Sequence, residues 1–419
     1  MKSFLAELTW RGLVQDATPG LAGRLATGKP VTAYVGFDPT AASLQVGNLV
    51  PIMLLAHLQR SGGRPIVVMG GGTGMIGDPS GKRAERPLLP EDTLRQNVAR
   101  QKAQFERFLP HVDMVDNADW LKPLTLIGFL RDIGKYFTLS YMLQKESVKA
   151  RMDEGISFTE FAYMLTQAYD FLHLYQTEKC EMQMGGSDQW GNITAGIELI
   201  RRVAGGEAQG LSAPLVTTSS GAKFGKSEGG SLWLDAGMTA PGVFYNFWVN
   251  TDDRDVEKYL RMFTFKPRED IVALMKDHAA NPGARTPHHA LAVDLTERVH
   301  GADVARQTAE GIRGAFASRE SAGLPELIAQ VMTTVPAKEF RWDPAKPPKA
   351  EDLFVAGGLA SSKGDARRLL SGKGLYLNRE VPEAGADVPV SVIVSTSGGK
   401  FVLLQKGKKT YQPLKIVGL

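Results

Sequence analysis

The sequence predicts an α/β protein whose first half forms a doubly wound parallel sheet. Three short apolar runs, 31–35, 65–69 and 180–184, are typical of buried strands, and each leads into a glycine-rich turn. Apolar residues at helical spacing follow two of these turns, one from Val46 and one running towards Arg202. Repeated strand, glycine turn and helix units indicate a parallel sheet that binds ligands at the carboxyl ends of its strands.

Length and composition are typical of a soluble protein with two or three domains. The chain has 419 residues, of which 43% are hydrophobic and 22% are charged. Its net charge of +4 is too small to indicate a nucleic-acid partner by itself. Cys180 is the only cysteine, which excludes an internal disulfide and suits a reducing compartment. With no signal peptide and no apolar run of membrane-spanning length, we expect a cytoplasmic protein without a membrane partner.

Histidine placement gives no indication of a structural metal. The seven histidines are scattered, and the adjacent pair His288 and His289 has no cysteine or carboxylate at metal-ligand spacing. We therefore expect no structural metal.

Residues 31–48 contain the first candidate site. Gly36 ends the predicted strand and lets a ligand approach the backbone closely, and a helix is predicted to begin just after Gln45. Backbone N–H groups at a helix N-terminus attract anions. An ordinary connection between a strand and a helix explains these residues equally well.

A second glycine-rich stretch, Gly72 to Gly77, has the spacing Gly-x-Gly-x-x-Gly of a dinucleotide-binding turn. Asp78 and Pro79 follow where that motif requires a helix, so a dehydrogenase is not predicted. The polar stretch beyond carries two cations, Lys82 and Arg86.

Three polar residues share one face of the helix predicted over 157–175. Tyr163, Gln167 and Asp170 stand at i, i+4 and i+7, so they form one stripe. Such a stripe lies on a wet surface or lines a pocket for a small polar ligand.

The stretch Gly-Phe-Asp-Pro-Thr-Ala-Ala-Ser-Leu, followed by Gln-Val-Gly-Asn, resembles the first signature of class I aminoacyl-tRNA synthetases. The version is that of bacterial tyrosyl-tRNA synthetases. Gln45 and Asn48 stand where the family signature His-Ile-Gly-His has its histidines. Further matches are Gly-Asp-Pro-Ser-Gly-Lys at 77–82, Gly-Gly-Ser-Asp-Gln-Trp-Gly-Asn at 185–192, and Lys-Phe-Gly-Lys-Ser at 223–227, which stands for Lys-Met-Ser-Lys-Ser. The resemblance runs almost from end to end.

The resemblance implies a role for each matching residue. At the tyrosine substrate it places Tyr34 and Asp170 by the phenol hydroxyl, Asp78, Tyr163 and Gln167 by the ammonium group, and Gln189 near the carboxylate. Along ATP it places Gly36, Asp38, Thr40, Gly47, Asn48, Asp188 and Lys226. The catalytic residues that it implies are Thr40, Gln45, Lys82, Arg86, Lys223 and Lys226.

The resemblance also implies a domain order. A Rossmann-like catalytic domain is expected over 1–220, and a mobile lysine loop with an α-helical anticodon-binding domain over 221–335. A proline-rich linker is expected over 336–349 and a small α+β domain of the S4 RNA-binding type over 350–419. Within that last domain the expected RNA contacts are basic residues, accompanied between 361 and 379 by a single acid: Lys363, Arg367, Arg368 and Lys373.

The activity implied is that of a tyrosine-tRNA ligase, which activates L-tyrosine with ATP and Mg²⁺ and then transfers it to the 3′ end of tRNA(Tyr). Phe158 matches a position of the family's subunit interface, so a homodimer is expected. A tryptophanyl-tRNA synthetase is one alternative, but an indole offers one N–H donor and no acceptor, so a pocket of Tyr34 and Asp170 suits a phenol better. An inactive RNA-binding relative is the other, and the retained lysines and polar stripe count against it.

Overall fold

The structure is a computed structural model. It describes the whole chain apart from residues 1, 79–88, 146–147, 150–154, 220, 222–223, 228–229, 319–322, 333–334, 408–409 and 419, and apart from the side chains of 2, 226–227 and 311–318. The chain divides into two compact units. The first comprises Met1–Met238 and Thr251–Leu291, and the second comprises Thr239–Asn250 and Ala292–Leu419.

A mostly parallel sheet forms the centre of the first unit. Its strands in chain order are β1 (Asp16–Ala17), β2 (Thr32–Phe37), β3 (Arg64–Met69), β4 (Asp113–Asp116), β5 (Met182–Gly186) and β6 (Gln209–Ala213). In space the order is β1-β6-β5-β2-β3-β4, and β1 pairs antiparallel with β6 at one edge. The strand order therefore reverses between β2 and β5, which confirms the predicted doubly wound, Rossmann-like sheet.

Helices connect and cover these strands. In the first unit they are α1 (Lys2–Trp10), α2 (Leu21–Ala26), α3 (Leu49–Arg60), α4 (Glu91–Phe105), α5 (Ala118–Leu121), α6 (Leu126–Asp132), α7 (Leu139–Leu143), α8 (Phe158–Glu178) and α9 (Trp190–Ala204). After α10 (Pro241–Val249), which belongs to the second unit, come α11 (Asp253–Phe263) and α12 (Arg268–Ala280). A short hairpin of β7 (Lys226–Ser227) and β8 (Gly230–Ser231) precedes α10.

The predicted elements around the site are present with shifted ends. The first expected helix starts as a single 3₁₀ turn, Val46–Asn48, and continues as α3. Pro51 lies in the first turn of α3, where its missing N–H costs no helical hydrogen bond. The expected helix over 157–175 is α8, whose N-cap Ser157 accepts a hydrogen bond from the backbone of Glu160.

The second unit combines helices with a smaller sheet. Its elements after α13 (Thr286–His300), which begins in the first unit, are α14 (Ala302–Ser318), α15 (Leu324–Met332), β9 (Lys338–Arg341), α16 (Ala350–Ala356), α17 (Lys363–Ser371), β10 (Leu375–Leu377), β11 (Val394–Thr396), β12 (Gly399–Lys406) and β13 (Thr410–Val417). The sheet order is β10-β12-β13-β9, with β11 beside β12. Leu353, Phe354 and Leu414 are buried in its core.

The segment expected to be a linker, 336–349, differs from that expectation. Residues 338–341 form β9, which pairs in parallel with β13, and Trp342 is buried in the core of the same sheet. After Pro336 the next proline stands only at 344, so the alternating apolar residues between these two prolines belong to a strand. The chain therefore joins the C-terminal sheet before the expected boundary at 350.

The boundaries between the two compact units also do not fall at residues 220 and 335, where domain boundaries were expected. Helices α11 and α12 belong to the first unit, whereas α14 and α15 belong to the second. Leu327 and Ile328 of α15 pack with Phe401 and Leu403 of β12, which explains the second grouping. Among the described helices, none is both long and apolar enough to cross a membrane.

Candidate active site

A cavity of about 680 Å³ lies at the carboxyl ends of β2 and β5 in the first unit, where the strand order reverses. The residues expected around tyrosine and along the nucleotide line it together: Tyr34, Gly36, Asp38, Thr40, Gln45, Gly47, Asn48, Asp78, Tyr163, Gln167, Asp170, Asp188 and Gln189. Lys82, Arg86 and Lys223 lie outside the described residues, and of Lys226 only the backbone, in β7, is described.

Tyr34 and Asp170 form the deepest polar pair of the cavity. Tyr34 on β2 is 1% exposed, and its hydroxyl makes no hydrogen bond to any described residue. Asp170 on α8 is 3% exposed and accepts hydrogen bonds from Asn117 Nδ2 at 2.9 Å and from Trp120 Nε1 at 2.7 Å. A buried hydroxyl without a partner is costly. The pair is therefore suited to a ligand with its own hydroxyl group.

Asn117 connects this pair to the glycine turn after β3. Its Oδ1 accepts hydrogen bonds from the backbone N–H groups of Gly72 and Thr73, at 2.8 and 3.3 Å. Its Nδ2 group donates to Asp170 and to Thr73 Oγ1, and the Thr73 hydroxyl donates to Asp38 at 3.1 Å. Such a chain of hydrogen bonds holds the carboxylate of Asp170 in one orientation before a ligand enters.

Burial dominates the electrostatics of the pair. It raises the pKa of Asp170 to about 7, and the nearby carboxylates of Asp38 and Asp116 also raise it, whereas the hydrogen bonds from Asn117 and Trp120 lower it. Burial likewise raises the pKa of Tyr34 well above its ordinary value, so its hydroxyl keeps its proton and can donate it in a hydrogen bond.

A second network joins α8 to the start of α9. Asp78, 5% exposed, accepts a hydrogen bond from Gln189 Nε2 at 2.7 Å. Asn192 Nδ2 donates to Gln167 at 2.9 Å and to Gln189 Oε1 at 3.1 Å. The polar stripe of α8 therefore lines a pocket, which decides between the two readings that the sequence left open.

Sequence reasoning missed four polar residues of this end: Asn117, Trp120, Gln183 and Asn192. Asn117 directly follows β4, and Gln183 is a buried polar residue between two methionines of β5. The sequence could have indicated both positions, because a polar residue within or directly beside a buried apolar strand is unusual. Nothing in the local sequence marks Trp120 as the donor to Asp170.

The end of the cavity where the nucleotide is expected is lined by loop backbone. Asn48 Oδ1 accepts a hydrogen bond from the backbone N–H of Gln45 at 2.9 Å, which leaves the Asn48 amide nitrogen as a donor. Glycine at 36 leaves space, since among the described residues, its two chain neighbours aside, no atom lies within 4 Å of a Cβ placed there.

The two signature segments are physically joined. Val46 N–H donates to Leu232 O at 3.0 Å, and Leu234 N–H donates to Leu44 O at 2.8 Å. Gly225, inside the second signature, has φ +75°, and a Cβ there would lie 2.6 Å from Val46 Cγ2. Only glycine fits this position, because both the backbone angle and the contact exclude a side chain.

The basic residues expected to bind RNA lie on α17 and just after it. Three of them form ion pairs: Lys363 with Asp352 at 2.6 Å, Arg367 with Glu351 at 2.8 Å, and Arg368 with Asp365 at 2.8 Å. Of these three acids only Asp365 lies between residues 361 and 379, since Glu351 and Asp352 belong to α16. This face is therefore less positive than the sequence between 361 and 379 indicates.

Comparison with known proteins identifies the family. The protein-family model for tRNA synthetases class I (W and Y) matches residues 26–317. Tyrosine-tRNA ligase of Anaeromyxobacter dehalogenans (strain 2CP-1) is 51% identical, covering 99% of this chain and all of the relative. The tyrosine-tRNA ligase of Geobacillus kaustophilus is 46% identical, covering 97% of this chain and 98% of its own.

Solved structures agree with this result. A C-terminally truncated mitochondrial tyrosyl-tRNA synthetase of Aspergillus nidulans has a TM-score of 0.68 and 32% identity, covering 75% of this chain and 94% of its own. A tryptophanyl-tRNA synthetase of Encephalitozoon cuniculi, with a TM-score of 0.53 and 12% identity over 73% of this chain and 87% of its own, shares the fold alone. The chain thus belongs to the class I tRNA synthetases, and within them to the bacterial-type tyrosine-tRNA ligases.

Proposed function

We propose that the Tyr34 and Asp170 end of the cavity recognises the phenol hydroxyl of L-tyrosine. The observation that carries this proposal is the buried Tyr34 hydroxyl, which makes no hydrogen bond within the described structure. The Tyr34 hydroxyl donates to the phenol oxygen, and Asp170 accepts the phenol proton. Phenylalanine would leave the Tyr34 hydroxyl unpaired and would offer no proton to Asp170, and an indole offers no acceptor to Tyr34.

The second network holds the other end of the amino acid. Asp78, Tyr163 and Gln167 surround its ammonium group, and Gln189 lies near its carboxylate. Support comes from the geometry: Asp78 is almost fully buried and faces Gln189, so it is placed to pair with a desolvated cation. Asn192 positions both glutamines through its amide nitrogen.

ATP, a substrate of this family, enters as its magnesium complex along Gly36, Asp38, Thr40, Gly47 and Asn48, with Asp188 at the ribose. An oxygen of the tyrosine carboxylate attacks the α-phosphorus, the bond from that phosphorus to the bridging oxygen breaks, and pyrophosphate leaves. The carboxylate is already a nucleophile, so catalysis depends on orientation and on stabilising the developing charge.

Six side chains act on that charge in the proposal. Gln45 and Thr40 donate hydrogen bonds to the phosphates, and Lys82, Arg86 and Lys223 together with Lys226 neutralise the leaving pyrophosphate. The backbone hydrogen bonds between 44–46 and 232–234 support this grouping, because they hold the first signature beside the segment that follows the second.

Transfer follows at the same site. A hydroxyl at the 3′ end of tRNA(Tyr) attacks the carbonyl carbon of tyrosyl-adenylate, the bond from that carbon to the phosphate oxygen breaks, and AMP leaves. The helical and C-terminal parts, 221–335 and 350–419, contact the tRNA, and the S4-like part uses Lys363, Arg367, Arg368 and Lys373. The cytoplasm, where charged tRNA is consumed, is the proposed location.

The proposed RNA contact has a direct test. Lys373→Ala should weaken tRNA(Tyr) binding about twofold to fivefold and reduce its salt dependence by about one counterion, because one phosphate contact is lost. The control is Lys346→Ala, an exposed lysine before α16. Equal tRNA affinity and salt dependence in the two variants would contradict the assignment.

We also propose a homodimer. Apolar side chains of α6, α7 and the start of α8 are exposed in the first unit, with Phe158 74% and Ile127 72% exposed. Several large exposed apolar side chains on consecutive helices are typical of a protein interface. Sedimentation should show a dimer for the unmodified chain and a monomer for Ile127→Asp. Equal sedimentation of the unmodified chain and Ile127→Asp would exclude this face as the dimer interface.

The proposed tyrosine pocket is tested by measuring the exchange between ATP and pyrophosphate with different amino acids. The unmodified enzyme should respond to tyrosine and discriminate against phenylalanine, whereas Tyr34→Phe should narrow that discrimination because its donor is gone. Cys180→Ser, a change at another buried residue, serves as the control for disturbance of the core. Unchanged discrimination in Tyr34→Phe would contradict the pocket assignment.

A further inference from the structure

Three helix ends of the first unit bring two histidines and an aspartate together. Asp253 is the first residue of α11, His278 lies in the last turn of α12, and His288 lies in the first turn of α13. Asp253 Oδ1 lies 3.1 Å from His288 Nε2, and Asp253 Oδ2 lies 3.7 Å from His278 Nε2. The candidate ligand atoms of all three residues lie within 4.8 Å of one another.

Within the described structure, several ring nitrogens of these two histidines make no hydrogen bond of good geometry. His288 is fully buried and its ring lies beside the carboxylate of Asp253 and the backbone of Thr251, but neither ring nitrogen makes a hydrogen bond of good geometry. Nδ1 of the buried His278 also has no hydrogen-bond partner. Buried polar atoms of a native protein normally have partners, so a group of this kind indicates an additional ligand. Asp253 is 52% exposed, which leaves a path from the solvent to the cluster.

The donor set determines the class of ligand. Two imidazole nitrogens and one carboxylate oxygen suit a first-row divalent transition metal, and zinc takes three such protein ligands with water in the fourth position. Tetrahedral zinc with bonds of about 2.0 to 2.1 Å needs ligand atoms about 3.3 Å apart. Asp253 already lies near that distance from both histidines. We propose that Asp253, His278 and His288 form a zinc-binding site.

One cation faces the proposed site. Arg285 Nη1 lies 3.3 Å from Asp253 Oδ1, and its Nη2 group donates to Thr251 O at 2.8 Å. The carbonyl of Thr251 holds the guanidinium beside the same carboxylate oxygen that faces His288, where it orients Asp253 as outer hydrogen-bond donors orient metal ligands. Repulsion between Arg285 and the metal is reduced by solvent, because the side chains of Arg285 and Asp253 are 31% and 52% exposed.

A metal here would connect α11, α12 and α13, and it would not take part in the proposed reaction. None of the three ligands is among the described residues that line the large cavity. Zinc binding to the folded chain should raise the melting temperature in proportion to the logarithm of zinc concentration, since ligands that bind only the native state stabilise it. The site therefore has a readout that is independent of aminoacylation.

The test measures zinc and cobalt binding by the full chain. Equilibrium dialysis of metal-free protein against Zn²⁺ gives stoichiometry and affinity, and Co²⁺ gives the visible absorption of a tetrahedral site. Asp253→Asn and His278→Gln each remove one ligand at a position that is not fully buried. His289→Gln, which changes the neighbouring histidine on α13, is the matched control. Circular dichroism confirms that each variant is folded.

The unmodified chain and His289→Gln should bind one Zn²⁺ per chain with the same affinity. Asp253→Asn and His278→Gln should bind it at least about tenfold more weakly and lose the cobalt absorption and the rise in melting temperature. Absence of zinc binding by the unmodified chain would overturn the proposal, and so would unmodified affinity in either ligand variant. All of these readouts remain informative if the assignment of the tyrosine pocket fails.

Discussion

The two ends of the cavity are built in different ways. At the tyrosine end, Tyr34 and Asp170 lie on a central strand and a long helix, and Asn117 and Trp120 fix the carboxylate. At the end proposed for the nucleotide, Gln45 is extended and a single 3₁₀ turn leads into α3, so the lining is loop backbone. A neutral hydroxyl is recognised by buried groups that are already oriented, because an unpaired buried group discriminates against the wrong ligand.

Phosphates set the opposite requirement. They carry charge, and the cationic side chains that neutralise them would be costly to bury in the absence of ligand. The four cations that the resemblance assigns to the phosphates accordingly lie in two glycine-rich stretches, 77–86 and 221–230. In the proposed function, specificity is therefore fixed by the packed core, whereas charge stabilisation is supplied by loop segments.

The largest effect should follow from Asp170→Asn. The change removes a charged acceptor and sets an amide N–H₂ group against the donors of Asn117 or Trp120. We expect kcat/KM for tyrosine in adenylate formation to fall about a hundredfold to a thousandfold. Asp119→Asn, at the exposed position next to Trp120 in the sequence, should leave it unchanged. A loss below tenfold in Asp170→Asn would mean that the phenol is recognised elsewhere.

Gln45→Ala tests the nucleotide end. Loss of one hydrogen bond to a charged phosphate should slow adenylate formation about tenfold to a hundredfold, with little change in tyrosine binding. Pre-steady-state measurement of adenylate formation separates the rate from the affinity. A rate equal to that of the unmodified enzyme would show that the Gln45 amide does not contact the transition state, leaving the phosphates to Thr40 and the lysines.

Protonation of Asp170 provides a third test of the comparison. Burial raises the pKa of this carboxyl to about 7, so its proton is bound below that pH and the charged acceptor is lost. We expect kcat/KM for tyrosine to fall about tenfold per pH unit below pH 7 and to level off above it, because this parameter reports the free enzyme. This fall of kcat/KM below pH 7 should be absent from the pH profile of Asp170→Asn. A profile that is flat from pH 6 to 8 in the unmodified enzyme would contradict the assignment.

The smallest effect is expected for Gln45→His, which introduces the family residue. An imidazole N–H can replace the amide donor, and it can become cationic beside the pyrophosphate. The rate of adenylate formation should stay within about threefold of the rate of the unmodified enzyme, a change no larger than one ordinary hydrogen bond accounts for. Inactivity of this variant, measured by the same pre-steady-state method, would show that the loop backbone around Gln45 accepts only an amide.

Much of the catalytic unit could be predicted because its signals are local. Strand, glycine turn and helix units follow from short-range patterning, and the polar stripe of α8 follows from helical periodicity. The signature motifs carried the residue assignments of the cavity, and every described member of that set lines it.

Sequence patterns within about 20 residues determined the α/β class and the parallel sheet, and the family resemblance indicated which polar residues gather at one edge. Only tertiary structure decided that Trp120 holds Asp170, that 338–341 is a strand paired with β13, and that Glu351 and Asp352 neutralise part of the basic helix. It also brought Asp253 to His278 and His288, where spacing along the chain had indicated no metal ligand. In each case the partners come from elements distant in the chain, and their contact is set by packing, which no local pattern encodes.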